Sequence, residues 1–284
     1  MKIAVLTDSG SGMSQDKANE LGIFLLPLQI INKDQIYRDC IDVQTPELYK
    51  LLKQGDFPKT SMPVLQDIEN IMDEMQKQGY DHILSIPLTS GISGTMQAIQ
   101  MMANEKNMPI TTIETYSTCQ IQYYCATQAK KLVDQGMTAE QIKENIEDKI
   151  TRARSILIPN DLDHLKKGGR LTPLAASLAS LLKIRPVLKI ELSSLGKVDV
   201  EAKIRTEKKA TQYMMDTLLD NLDPNKTYQV FVLDSDQPDK SKSIMEMINE
   251  RHLTNIEMSQ HSICAVIACH TGLDSVAIQI IEEI

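Results

Sequence analysis

The alternation of strand and helix signals through the first half of the chain is the feature that most limits what it can fold into. Residues 3–7 form a short apolar run closed by Asp8-Ser9-Gly10, and helix-forming residues follow from 14 to 21. Ser14 is placed to cap that helix and Gly22 to stop it. Residues 24–31 read as a second strand. Residues 45–54 read as a helix capped by Thr45, with Pro46 at its first position. Val64, Ile68, Ile71, Met72 and Met75 recur at the 3.6-residue rhythm of an amphipathic helix over 64–78, ended by Gly79. Strand 82–88, helix 95–104, strand 111–115 and helix 120–135 follow. This order predicts βαβ units on a parallel sheet, with ligands expected beyond the carboxyl ends of the strands. The segments 8–12, 60–63, 89–95 and 115–119 all leave or adjoin strands and are expected to converge on one edge.

The second half changes character. A helix is expected over 138–154, then a strand over 155–159 and a basic turn, Lys166-Lys167-Gly168-Gly169-Arg170. Strands 186–192 and 197–202 flank Ser193-Ser194-Leu195-Gly196, which reads as a hairpin turn. Helix 208–222, strand 228–234, helix 240–251 and a strand at 266–270 complete the series. The expected fold is α/β, a Rossmann-like parallel-sheet lobe over 1–158 and a second α/β (α+β) lobe over 159–284, with a ligand between them. A chain of 284 residues is long enough for two intimately packed lobes.

Composition excludes several functions. The net charge of −8 disfavours nucleic acid, whose binding rests on neutralised phosphates, and 4% aromatics with no Trp leave few stacking platforms. No apolar run approaches a membrane span, so stable membrane insertion is not expected. The amino terminus turns acidic too early for a signal peptide, which points to the cytoplasm. The five cysteines, Cys40, Cys119, Cys125, Cys264 and Cys269, are scattered and read as free, mostly buried thiols. Fifteen methionines against three phenylalanines suit irregular apolar gaps or a tunnel for a flexible ligand.

The chemistry-bearing segments are few. Thr89-Ser90-Gly91-Ile92-Ser93-Gly94-Thr95 carries four hydroxyls and two glycines from a strand into a helix start. Free N–H groups and the positive dipole end there favour an anion, and Gly94 lets the backbone come close. An ordinary helix cap is the plainer reading. A nucleophile elbow requires G-x-S-x-G, and here the second glycine comes one residue early, so a serine hydrolase built on Ser93 is the least favoured alternative. Thr60 and Ser61 precede Met62-Pro63, which holds them extended; Ser61 is also placed to cap the helix that starts near Val64. In Cys269-His270-Thr271-Gly272, a histidine with a neighbouring hydroxyl can donate to or order a carboxylate. No second His or Cys stands at zinc-ligand spacing. Gly10-Ser11-Gly12 lacks the third glycine of a dinucleotide fingerprint, Gln15 standing in its place, and there is no Walker lysine. No cofactor is expected. Lys166 to Arg170, and Arg205 with Lys208 and Lys209, are basic clusters that form either a solvated face or a patch for an acidic partner or a phosphate.

Together these segments resemble the DegV family of bacterial fatty-acid-binding proteins. The resemblance runs over nearly the whole chain. It rests on Leu6-Thr7-Asp8-Ser9, Thr60-Ser61-Met62-Pro63, the 89–95 turn, Leu165-Lys166-Lys167-Gly168-Gly169-Arg170-Leu171, Leu182-Lys183-Ile184-Arg185-Pro186-Val187-Leu188, and His270-Thr271-Gly272. It implies a long-chain fatty acid between the lobes, with Ser61 or Thr60, Ser93 and His270 binding or orienting its carboxylate. It also implies no catalysis by the chain itself: a separate fatty acid kinase would act on the presented acid, with Arg170 and Arg205 suited to the phosphate or to that partner. A binder of another acidic or polar amphiphile is the main alternative. The chain departs from the family pattern at Ile121 and Tyr123, where glycines are usual, and at Asp274. The first two would reshape the tunnel if their helix packs on the acyl chain. Asp274 would oppose a bound anion unless its carboxylate points away.

Overall fold

The computed structural model describes residues 1–177 and 184–284; Leu182 and Lys183 of the 182–188 motif lie outside them. In chain order the first half contains β1 (Ile3–Asp8), α1 (Gln15–Leu21), β2 (Phe24–Leu26), β3 (Gln29–Asn32), β4 (Gln35–Arg38), α2 (Thr45–Lys53) and β5 (Lys59–Ser61). It continues through α3 (Leu65–Lys77), β6 (His82–Ile86), α4 (Thr95–Glu105), β7 (Ile110–Thr112), α5 (Cys119–Asp134) and α6 (Ala139–Ile150). Then come β8 (Arg154–Ile158), α7 (Leu162–Gly168), α8 (Pro173–Ser177), β9 (Arg185–Ile190) and β10 (Asp199–Ile204). The chain ends with α9 (Glu207–Leu219), β11 (Tyr228–Asp234), α10 (Pro238–Asn249), β12 (Ile256–Ser262), α11 (Ala265–Thr271) and β13 (Val276–Glu282).

The expected α/β architecture is present. A parallel sheet of order β2-β1-β6-β7 forms from the βαβ units, and β4-β3-β5 forms a small antiparallel sheet beside it. The second sheet has six strands, β10-β9-β8-β13-β11-β12, all neighbours antiparallel except β11 and β12. The expected boundary at residue 158 falls at the end of β8, a strand of this second sheet. Buried side chains of α3 and α4, such as Met72 and Ile99, cover one face of the first sheet; those of α9 and α10, such as Met214 and Ile244, cover one face of the second. Their other faces meet in one shared core, from Val5 and Leu84 through Ile121 to Leu188 and Leu233.

Several local expectations are corrected. The strand foreseen at 266–270 is the helix α11; the apolar run Ala265-Val266-Ile267-Ala268-Cys269 is buried almost all round, and periodicity cannot separate helix from strand in such a run. The strand foreseen at 24–31 breaks at Pro27 into β2 and β3, which join different sheets. The helix foreseen from 138 stops at Ile150. Gln44, not Thr45, precedes α2 as its cap, with Glu47 completing a capping box. Ser61 does not cap α3: it closes β5, pairing with Gln29, and Val64 is the cap residue. Most of the basic turn at 166–170 is the last turn of α7, which ends on Gly169 in the left-handed region. The edge strands β4 and β5, the short helices α7 and α8, and the strands β12 and β13 have no counterpart in the sequence reading.

Candidate ligand site at the junction of the sheets

The carboxyl ends of β1 and β6 place the Ser/Gly turn, and buried side chains fix it. The Asp8 carboxylate accepts from the backbone N–H of Leu88 at 2.7 Å and of Gly10 at 2.9 Å, and from Gln122 Nε2 at 3.1 Å. Burial pushes this carboxyl up to about 6, against the opposing pull of those three donors. From the other side, the turn after β9 presses backbone onto backbone. A Cβ at Gly91 would come within 2.4–2.5 Å of the Leu195 and Gly196 main chain, and one at Gly196 within 1.8 Å of Thr89 Oγ1. Both positions therefore require glycine. The Ser/Gly turn is thus locked by a residue more than a hundred positions away.

Around this turn the structure brings together most of the expected residues. A polar mouth of about 660 Å³, counted out to solvent, is lined by Thr60, Ser61, Ser93, Gly94, Arg170 and His270 with an apolar floor that includes Leu28 and Ile92. Thr60 Oγ1 lies 2.7 Å from His270 Nε2, joining β5 to the last turn of α11. Ser93 Oγ pairs with Thr95 Oγ1 at 2.8 Å and accepts from the Thr95 N–H at 3.3 Å. Among the described residues no histidine contacts it, and the one histidine in the mouth is committed to Thr60. A serine–histidine nucleophile is not assembled here.

His270 is partly buried, and its Nδ1 is wholly enclosed without a well-formed hydrogen bond. Desolvation, then the positive Arg170, then His164 lower its pKa to about 4, so the ring is neutral near pH 7. Space for the ring depends on Gly168, where a Cβ would lie 2.6 Å from Nδ1. The nearby Gly168 backbone acts against these effects and raises the ring's pKa. Arg170 donates to the Gly168 carbonyl at 2.7 Å and is the single charged side chain among the described residues that line the mouth.

Ile92, Arg170, Ile267 and His270 also line a second cavity that adjoins the mouth. It measures about 640 Å³ out to its opening and is walled chiefly by Ile156, Leu157, Leu165, Ile190, Leu233 and Ile263. Thr271 belongs to this inner wall, its hydroxyl turned to the Gly272 carbonyl at 3.4 Å. The few other polar groups there satisfy one another. Gln279 Nε2 donates to the Thr118 carbonyl at 2.9 Å and to Ser155 Oγ at 3.0 Å, while its Oε1 accepts from the N–H groups of Gln120 and Ile121 at 2.9 and 3.2 Å. Sequence reasoning missed Gln279; the available signal was a lone amide inside the apolar run Val276–Glu282.

Three expectations fall outside the site. Arg205 is exposed and lines neither cavity. Ile121 is buried and Tyr123 partly buried in the shared core, and neither lines the cavities. The Asp274 carboxylate accepts from Gln237 Nε2 at 2.5 Å and from Asn160 at 3.5 Å, on the far side of β13's start, and it too lines neither cavity.

The family model for the DegV family of uncharacterised proteins matches residues 2–283. The chain belongs to the DegV family. A DegV domain-containing protein of Streptococcus pneumoniae is 31% identical over the full length of both chains. Among solved structures, the fold is similar to that of DegV, a fatty acid binding protein from Bacillus subtilis, with a TM-score of 0.90, 27% identity and complete coverage of both chains. It is equally close to a fatty acid binding DegV family protein from Streptococcus agalactiae, with a TM-score of 0.89, 30% identity and complete coverage of both. In this DegV chain no helix among the described residues is long and apolar enough to cross a membrane.

Proposed function

We propose that the chain is a non-enzymatic carrier of a long-chain fatty acid, with the carboxylate in the polar mouth and the acyl chain in the inner cavity. The observation that carries this reading is that two adjoining spaces share four lining residues: hydroxyls, a neutral histidine and one arginine line the outer space, and an almost wholly apolar wall lines the inner one. The Thr60, Ser61 and Ser93 hydroxyls and the Arg170 guanidinium supply charge-assisted hydrogen bonds to a carboxylate. Fatty acid binding by solved relatives of the same fold supports the choice of ligand class. With the reacting carboxyl at the mouth, a partner kinase has access to it without unloading the tail. Arg170 then stands beside the acyl phosphate, and the exposed Arg205 faces the partner.

The test is a chain-length series with the purified, delipidated protein, followed by titration calorimetry. Each added methylene contributes about 0.8 kcal/mol, roughly fourfold in affinity, until the cavity is full. Methyl esters, which lack the negative charge, bind more weakly than the acids at every length. Affinity independent of chain length, or esters equal to acids, overturns the proposal.

A further inference from the structure

One thiol stands at the wall of the inner cavity, and a second touches it from behind. Cys119, the first residue of α5, lines the cavity, and its Sγ lies 3.9 Å from that of Cys264. Both are buried and free. Cys264 precedes α11 as its cap residue, so the pair joins the helix that opens the inner wall to the helix that bears Ile267 and His270. A buried cysteine is usually a small space-filling hydrophobe, and Cys125 and Cys269 fit that description, desolvation raising both thiols. Cys119 differs in three respects. It faces the cavity, it begins a helix of 16 residues whose amino-terminal partial charge favours an anion, and it has a second thiol in contact. The Cys264 S–H donates to the Gly10 carbonyl at 3.4 Å, and its sulfur lies in contact with that of Cys119. Of the two sulfurs Cys119 alone lines the cavity, which makes it the nucleophile and Cys264 the partner that resolves it.

What reaches Cys119 is whatever occupies the inner cavity. If that is an acyl chain, the electrophile placed against the sulfur is a group borne on the chain. A saturated chain offers none, whereas a hydroperoxide on an oxidised unsaturated chain offers a weak O–O bond. We propose that Cys119 and Cys264 reduce a hydroperoxide carried on the bound acyl chain, closing into a disulfide as they do so. This rests on the fatty acid reading above. The Cys119 thiolate attacks the terminal peroxide oxygen; an S–O bond forms, the O–O bond breaks, and the chain leaves as an alkoxide that takes up a proton to become the hydroxy acid. Sulfur has lost two electrons and the peroxide has gained them, leaving Cys119 as a sulfenic acid. Cys264 then attacks the Cys119 sulfur, the S–S bond forms, and hydroxide departs with the Cys264 proton as water. Closing from 3.9 Å to the roughly 2.05 Å of a disulfide takes side-chain rotation at both residues. A dithiol reductant in solution resets the pair.

The experiment incubates the reduced, full-length protein anaerobically with one equivalent of linoleic acid hydroperoxide. The expected result is a fall in titratable thiols from five to three, formation of one equivalent of hydroxy acid, and a peptide map joining Cys119 to Cys264. Cys264→Ser, outside the cavity lining, still binds linoleic acid and leaves a sulfenic acid at Cys119 that dimedone captures, whereas Cys119→Ser abolishes the reaction. A tailless peroxide such as tert-butyl hydroperoxide reacts at least about tenfold more slowly at equal concentration, because it is not held against the sulfur. Intact linoleate binding with an unchanged thiol count, equal rates for the two peroxides, or a reaction that survives Cys119→Ser each overturns the thiol proposal alone. Absence of linoleate binding in a parallel titration overturns the carrier reading and this one with it.

Discussion

The mouth and the inner cavity share Ile92, Arg170, Ile267 and His270, yet they treat polar atoms in opposite ways. In the inner wall every hydrogen-bonding arm of Gln279 is spent on Thr118, Ser155, Gln120 and Ile121, so its polar atoms hold the wall together and have nothing left for a guest. In the mouth the Thr60–His270 and Ser93–Thr95 pairs use only part of what their hydroxyls can do, and an arginine adds positive charge. The difference separates specificity from affinity. Under the carrier reading proposed above, a few unspent donors choose the head group, and buried apolar area retains the tail.

Breaking the inner network tests the structural half of this contrast and carries the largest effect. Gln279→Leu orphans two backbone N–H groups of α5 and the Thr118 carbonyl, which costs roughly 3 kcal/mol or more of stability, read by urea denaturation. On the mouth side, Ser93→Ala and Thr60→Val leave stability nearly unchanged and each weaken fatty acid binding about tenfold, the worth of a charge-assisted hydrogen bond, measured calorimetrically. Loss of stability instead of affinity in either variant would erase the contrast.

A smaller effect concerns pH. The free His270 ring is held neutral down to about 4. A carboxylate beside it favours the imidazolium, so its pKa is higher in the complex than in the free protein. Binding then takes up protons, and affinity rises a few-fold as pH falls from about 7 to about 5, provided the ligand stays ionised. His270→Asn removes this slope. The smallest effect is at Arg205, exposed and outside both cavities: Arg205→Ala leaves fatty acid affinity unchanged in the same calorimetric titration.

How much of this was legible in the chain depends on the range of the interaction concerned. Local rules were sufficient for α1, where Ser14 caps and Gly22 terminates, for β1 and β6, and for the hydroxyl-rich turn between β6 and α4. They failed at α11, because a run of small apolar residues buried almost all round carries no period, and at residues 24–31, where Pro27 diverts one apolar stretch into two sheets. They also could not show that Asp274 turns toward Gln237 and Asn160, or that Arg170 reaches the cavities while Arg205 does not.

By itself, then, the sequence determined the α/β class, the parallel sheet of the first half, and the residues with the chemistry to hold an anion, since periodicity, caps and glycine turns act over a few residues. Only the tertiary structure decided that Thr60 meets His270, that Gly196 locks the turn bearing Ser93, and that Cys119 meets Cys264. Those contacts join residues 105 to 210 positions apart, and no local energy encodes them. They follow from packing the sheets and helix α5 around one shared core.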